Sequence, residues 1–496
     1  MNYPNAELLA IRKTAGAKKT IGFNDDVIAP FWEADTQLRT AVHQAYAVYL
    51  KLCAESPDIL GQDEAEQCAH LQRHFLSFYG SAARSPYIPL AGCGPWIVTL
   101  HGAILHDSGG YGMLGFGHSP SSITAPLGQS WVMANVMTAS LSQNRFSELL
   151  RKEIGQKRGN CPFTKFICLN SGSEAMTLSA RFSDLNAFNL TQSGARHAGK
   201  KIKYLGLKGG FHGRTDPAAR VSDSCMETYK SHLASFRGSE ILETVTPNDL
   251  AGLRNMFAKA EAEGIFFESF FIEPVMGEGE PGEALSREFY DLARELTTAH
   301  GALLIVDSVQ AGFRATGYLS ILDYPGFEDC LPPDIEAYSK ALNAGQFPLS
   351  VVALTPAAAG LYVTGIYGNT MTTNPRGMEV GCAVLAAMTD QTRVNIRERG
   401  KEFVSKLREL ALEFPEIILK VQGCGLIVCA ELDSKACQVT GAGGLEEQLR
   451  CKGVVMIHGG HNGLRFTPHF QITSREIDLI VGVVRSVLQE QLVVCA

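Results

Sequence analysis

The sequence predicts an α/β fold: a mainly parallel sheet flanked by helices, with a smaller α+β part built from the two ends of the chain. Three observations lead there. First, Phe270-Phe271-Ile272 is a short apolar run, and Ala302 to Val306 is another. Second, Ser286 stands between them as an N-cap, Phe289, Leu292, Ala293 and Leu296 follow at helical spacing, and Gly301 ends the pattern. Strand, crossover helix, strand is the unit that joins parallel strands. Third, Phe166-Ile167-Cys168 is followed by a Gly/Ser turn and then by Ala175, Leu178, Phe182 and Leu185, again one face of a helix.

In chain order, residues 1–125 form an N-terminal segment whose first 80 residues read as largely helical, most clearly from Ala41 to Leu50. Residues 126–375 carry the alternating strand and helix patterns of a large domain. Residues 376–496 form an α+β end that completes the small domain. There Thr473 and Glu476 make a capping-box pattern ahead of an apolar face at Ile477, Ile480, Val481, Val484 and Leu488.

The chemistry begins with Asp307 and Lys340. Asp307 follows the apolar run at 302–306, so its carboxylate stands at a strand tip, where open α/β sheets bind ligands. Lys340 follows Pro333-Asp334-Ile335-Glu336-Ala337-Tyr338-Ser339. A buried carboxylate and a downstream lysine are what pyridoxal phosphate requires: the amine forms a Schiff base, and the carboxylate keeps the ring nitrogen protonated. Ser171-Gly172-Ser173 places backbone N–H groups at a helix N-terminus, a ready anion site. In Gly209-Gly210-Phe211-His212-Gly213-Arg214-Thr215, an aromatic between glycines can lie flat on a planar ring. Ile272-Glu273-Pro274-Val275-Met276-Gly277-Glu278-Gly279 and Gly368-Asn369-Thr370-Met371-Thr372-Thr373-Asn374-Pro375 complete the set.

In this order the segments resemble the class III (ornithine/4-aminobutyrate type) pyridoxal-phosphate aminotransferases of fold type I. The similarity runs from about Gly117 to Pro468, roughly two-thirds of the chain. The resemblance implies roles residue by residue. Lys340 matches the Schiff-base lysine and Asp307 the partner of the pyridine nitrogen. Val309 and Phe211 match the residues on the two ring faces, and Gln310 the side chain near the ring hydroxyl. Ser171, Gly172 and Ser173 match the phosphate cradle, with His212 and Glu273 among the cofactor contacts. Thr370 matches a threonine that reaches the phosphate of the neighbouring subunit, which implies a homodimer with shared sites. Glu278 and Arg465 match a gating pair, in which the arginine holds a carboxylate and the glutamate covers it when none is present. The implied reaction is ping-pong transfer of an amino group from an amino acid or ω-amine to a keto acid, 2-oxoglutarate or pyruvate. Racemases, epimerases, aminomutases and decarboxylases share these motifs and stand as the alternative; a non-catalytic cofactor-binding protein is disfavoured by the intact Asp307, Gln310 and Lys340. The chain departs from the family pattern at Ser308, where glutamate is usual, at Thr372 and Thr373, where two glycines are usual, and around Arg314-Ala315-Thr316-Gly317.

Composition narrows the partners. A net charge of −7 and a pI near 6.0 argue against nucleic acid or an anionic membrane. Thirteen cysteines without a Cys-x-x-Cys motif read as reduced thiols, and the N-terminus lacks the order of a secretory signal, so a cytoplasmic location is expected. The uncharged stretch from Phe347 to Gly368 is broken by Pro348, Pro356, Gly360 and Gly365, and reads as strand and loop. Gly110-Tyr111-Gly112-Met113-Leu114-Gly115 matches a dinucleotide-binding pattern, but no amphipathic helix follows it. No metal site is expected: His458 and His461 lack further ligands nearby, and His101, His106 and His118 read as hydrogen-bonded loop histidines.

Overall fold

The computed structural model describes residues 3–133 and 137–495. Two compact units emerge. The first comprises residues 1–121, 399–422 and 428–496, and the second residues 122–398 with 423–427. Residues 376–398, assigned above to the C-terminal part, pack with the second unit. The reason is the helix Pro375–Ala387, whose buried Glu379 accepts from Ser142 Oγ at 2.7 Å and Arg145 Nη1 at 2.6 Å, both on the helix Leu141–Glu153.

The first unit opens with the helices expected there, of which Thr36–Glu55 is the longest of the N-terminal group, capped by Asp35. Strands β1 (Pro89–Cys93), β2 (Trp96–Thr99) and β3 (Ile104–Asp107) then form an antiparallel meander.

The second unit is built on seven strands: β4 (Lys165–Leu169), β5 (Lys201–Leu207), β6 (Leu242–Val245), β7 (Ile265–Ile272), β8 (Leu303–Asp307), β9 (Ile335–Tyr338) and β10 (Ser350–Leu354). Their order is β4-β10-β9-β8-β7-β5-β6, and only β10 runs antiparallel to its neighbours. The crossover between β7 and β8 is as read from the sequence. Ser286 Oγ accepts the Phe289 amide at 3.1 Å, the helix runs Arg287–His300, and Gly301 closes it at φ +84°. All residues of β7 and β8 are buried, as expected for strands covered on both faces. The stretch from Phe347 to Gly368 resolves into β10, a one-turn helix and loop. Among the described residues, no helix is long and apolar enough to cross a membrane.

The chain returns to the first unit with β11 (Ile418–Cys424), β12 (Ile427–Leu432), β13 (Val454–Val455), β14 (Ile457–Gly459) and β15 (Gly463–Phe466). β13 adds to β3, and the other four form a sheet in the order β11-β12-β15-β14. The last helix, Ser474–Cys495, starts at the expected capping box, where Glu476 Oε2 accepts the Thr473 amide at 2.7 Å. Ile477, Ile480, Val481, Val484 and Leu488 are all buried beneath it.

Candidate active site

The site assembles at the carboxyl ends of β8 and β9, where a parallel sheet leaves the following turns open to a ligand. Asp307 ends β8 and is 4% exposed. Its Oδ1 accepts the Val309 amide at 3.0 Å, which folds the chain back in an Asx turn. Its Oδ2 pairs with His212 Nδ1 at 2.9 Å. An ionised carboxylate only accepts, so Nδ1 carries the proton in this pair. The His212 amide donates to Ser222 Oγ at 2.9 Å, and that hydroxyl donates to the Gly213 carbonyl at 2.9 Å. The backbone that carries the ring is therefore held in place.

Glu273, just after β7, clamps two loops. Its carboxylate accepts the Phe211 amide and the Gly277 amide, each at 2.9 Å. Burial pushes this carboxyl up to about 7, with the His212 ring and the two amides opposing the rise. Phe211 itself is half-buried, and the Arg214 guanidinium stacks on it at 5.3 Å from the ring centroid.

Lys340 begins a short 3₁₀ turn directly beyond β9 and takes φ +41°. A non-glycine residue in this region is uncommon and persists where its surroundings hold it. Here Ser339 Oγ and Asn343 Nδ2 both donate to the Leu349 carbonyl at 2.8 Å, pinning the turn on either side of the lysine. Lys340 Nζ donates to Gln310 Oε1 through a short hydrogen bond.

The element expected to bind an anion is the helix Gly172–Thr191. Ser171 Oγ accepts the Glu174 amide at 3.3 Å, and Glu174 Oε2 accepts the Asn170 and Ser171 amides at 2.9 and 3.1 Å. The box uses those three amides, and the Gly172 and Ser173 amides face the open end of a 20-residue helix dipole. Space is tight. A Cβ on Gly172 would lie 2.7 Å from Val309 Cγ1, and one on Gly213 would lie 2.4 Å from Ser173 Oγ. Three segments, 171–173, 211–213 and 307–310, thus meet at one point, with Lys340 tied to the last of them.

This donor set suits a phosphorylated pyridine aldehyde. It offers a carboxylate for a ring nitrogen, an amine for a carbonyl carbon and a helix N-terminus for a phosphate. Pre-shaped glycine gaps and a buried His212 Nε2 without a protein partner complete it.

The remaining expected residues fall elsewhere. Thr370 is exposed, on a segment held to the capped helix by Asn369 Nδ2, which donates to Glu174 Oε1 at 2.8 Å. Glu278 is half-buried in the loop after β7 in the second unit. Arg465 is 5% exposed in β15 of the first unit, opposite Cys429 and Ile457. Ser308, the departure from the family pattern, donates to Glu336 Oε1 at 2.6 Å. Neither Glu336 nor Ser222 was singled out from the sequence, and neither carries a local signal there.

The histidines expected to be hydrogen-bonded are so. His101 meets Gln67 at 3.0 Å and His118 meets Asp107 at 3.0 Å. His106 lies on β3 rather than in a loop and joins a buried group with His469 and Glu476 whose candidate ligand atoms lie within 4.8 Å of one another. Both imidazole Nε2 atoms sit on one Glu476 oxygen, at 3.1 and 2.8 Å, while the other oxygen serves Thr473. Both distances are those of hydrogen bonds. The two rings hold Glu476 below the usual carboxylate range despite its burial.

The family model described as Aminotransferase class-III matches residues 83–488. The acetylornithine aminotransferase of Clostridium acetobutylicum is 30% identical over 372 residues, 74% of this chain and 87% of that one. The ornithine aminotransferase of Emericella nidulans is 28% identical over 362 residues, 70% of this chain and 72% of that one. Among solved structures, the ornithine aminotransferase from Toxoplasma gondii aligns with a TM-score of 0.73 at 20% identity, covering 88% of this chain and 98% of its own. An S-selective transaminase from Bacillus megaterium aligns at 0.70 and 18% identity, covering 86% and 98%. The fold is the same in both.

Proposed function

From the premise that the chain belongs to the class-III aminotransferase family, we propose how its own residues carry the reaction. The protein transfers amino groups, and its cofactor is pyridoxal phosphate. When bound, that cofactor supplies an electron sink for the carbanion left when the donor carbon loses its proton. Lys340 Nζ would take that proton as a base and give it back as an acid two atoms away, on the far side of the amine nitrogen. Asp307 would hold a proton on the ring nitrogen, and the His212 Nδ1–H bond keeps the carboxylate aimed. The Gly172 and Ser173 amides would hold the phosphate, and Phe211 and Val309 would hold the two ring faces. Glu273 fixes the Phe211 loop. The observation that carries this reading is the convergence of Asp307–His212 and Gln310–Lys340 on adjacent strand ends.

Arg465 is assigned the carboxylate of the substrate, with Glu278 covering it when that carboxylate is absent; the support is their matched position and the bidentate grip of a guanidinium. The relatives are named for ornithine and acetylornithine, so the donor class proposed is an amino acid with its reacting amine remote from a carboxylate, and the acceptor 2-oxoglutarate or pyruvate. A half-reaction screen tests this. Absorbance of the loaded enzyme is followed as single donors from a panel of α- and ω-amines are added without acceptor. One equivalent should react and stop until a keto acid is supplied.

A homodimer is proposed on two grounds. Thr370 is exposed, and β4 is an edge strand beside a cavity of about 850 Å³ lined by Phe146, Phe166, Tyr362, Tyr367 and Met378. An open edge with an apolar groove calls for a covering partner. A second copy would both cover it and bring Thr370 to the other site. The free thiols among the described residues suit a reducing compartment, and the cytoplasm is the proposed location.

A further inference from the structure

Glu336 is a carboxyl in the middle of β9, 0% exposed and flanked in register by Val306 on β8 and Ala353 on β10. A carboxyl incurs a desolvation cost there that an apolar side chain would not. The carboxyl is instead fully engaged. Oε1 accepts Ser308 Oγ at 2.6 Å and the Ile321 amide at 3.0 Å, and Oε2 accepts Ser320 Oγ at 2.6 Å. Ser320 and Ser308 are themselves buried, and Ser320 Oγ also accepts the Leu322 amide at 3.2 Å. One side chain therefore ties two turns to the strand that leads, four residues later, into Lys340.

The turn it ties through Ser308 carries three of the site's side chains. Asp307 precedes Ser308, and Val309 and Gln310 follow it. Ser308 is held twice, by its side chain to Glu336 and by its amide to the Ala337 carbonyl at 3.0 Å. Both holds are on β9. Nothing in the reaction assigned above uses Glu336, and it touches none of the atoms assigned to the cofactor or substrate.

We infer that Glu336 is a positioning residue for cofactor binding: through Ser308 it sets the 307–310 turn against the strand that delivers Lys340, so that Asp307 and Lys340 are presented in register. The inference rests on the assignment of Asp307 and Lys340 to the cofactor. Burial pushes the Glu336 carboxyl up to about 7, partly offset by the two serine hydroxyls, which marks the position as costly for the fold in the ionised state. What singles this carboxyl out is where its hydrogen bonds go: Oε1 holds Ser308, inside the turn that carries Asp307.

The test separates position from stability. Glu336→Leu, Glu336→Gln and Ser308→Ala are prepared with wild type as apoenzymes, and cofactor dissociation constants, visible spectra of the loaded forms and melting temperatures are measured. Glu336→Leu, which strands two buried serine hydroxyls and the Ile321 amide, should melt below wild type and bind pyridoxal phosphate about tenfold to a hundredfold more weakly, with a shifted visible band. Ser308→Ala should weaken binding in the same direction without lowering the melting temperature by more than a few degrees. Glu336→Gln, which keeps an acceptor for Ser308, should restore affinity to within about threefold. The Leu and Ala changes combined should affect affinity far less than additively, since both remove the Ser308–Glu336 contact. If Glu336→Leu proves unfolded, Ser308→Ala and Glu336→Gln still decide the matter. Wild-type affinity and an unshifted band in both Glu336→Leu and Ser308→Ala overturn the inference, as do fully additive effects. Borohydride reduction of the wild type, with the modified lysine mapped, checks the underlying assignment separately: label elsewhere than Lys340 refutes that assignment whatever the variants do.

Discussion

His212 Nδ1 lies 2.9 Å from Asp307 Oδ2, and both side chains are buried. An imidazole from the loop after β5, set on the carboxylate, does two things. It fixes which way the carboxylate points, and it leaves Oδ2 with a donor in a place where water is excluded. Removing it strands a buried oxygen. We expect His212→Ala to lower kcat about tenfold to a hundredfold and to weaken cofactor retention, read by steady-state kinetics and by dialysis of the loaded enzyme. His212→Asn, which can still donate, should recover part of the loss. Kinetics unchanged in the alanine variant would remove His212 from the site.

Asp307→Asn keeps the shape of the side chain and the Val309 turn while losing the charge that holds a proton on the ring nitrogen. Cofactor should remain bound while the half-reaction with a good donor slows by about 10²-fold or more. Single-turnover absorbance with and without acceptor measures it. Turnover near wild type would mean that another group serves the nitrogen.

Arg465→Ala should raise KM for the keto acid by about tenfold or more, the value of a lost bidentate carboxylate grip. If the donor's reacting amine is remote from its carboxylate, the donor half-reaction should suffer less. The two half-reactions are measured separately with 2-oxoglutarate and pyruvate as acceptors. Equal kinetics for both acids in variant and wild type would exclude Arg465 as the clamp.

Stability should carry a pH signature away from the site. Glu268 is buried in β7 with Ser183 Oγ at 3.2 Å, and burial, with Asp184 adding to it, pushes its carboxyl up from 4.5 to about 8. A carboxyl raised in the folded state binds protons that the unfolded chain has released. Its contribution is therefore fully present below about 4.5 and is lost as pH rises through about 8. Glu268→Gln removes that dependence. The variant's melting temperature relative to wild type should climb steadily between pH 5 and 8.5, toward an upper bound of about 4 kcal/mol in its favour. A difference that stays flat across that range would show that Glu268 titrates normally.

Local chemistry was legible in the sequence, and long-range pairing was not. The capped Gly172 helix, the Ser286 to Gly301 crossover and the Thr473–Glu476 box each depend on residues within one or two turns of each other, so spacing alone revealed them. Asp307 was legible because a carboxylate after a continuous apolar run must stand at a strand end. The His212–Asp307 pair spans 95 residues and the Ser308–Glu336 pair 28, and both are brought together by strand crossovers whose register no local pattern encodes. The boundary near 375 was misplaced for a similar reason. Proline and asparagine at 374–375 mark a helix start, which reads as a break, but Glu379 and Gly381 on that helix pack on Ser142, Arg145 and Phe146 far upstream.

The most direct measurement is the site of covalent attachment. The loaded enzyme is reduced with borohydride, digested and mapped by mass spectrometry, alongside Lys340→Ala. We expect a single cofactor-modified peptide carrying Lys340 in the wild type and none in the variant. The variant should still bind the cofactor reversibly, and its activity should fall by at least about 10²–10⁴-fold, because the same amine moves the proton. A modified peptide carrying a different lysine, or full activity without Lys340, would contradict the assignment on which the site rests.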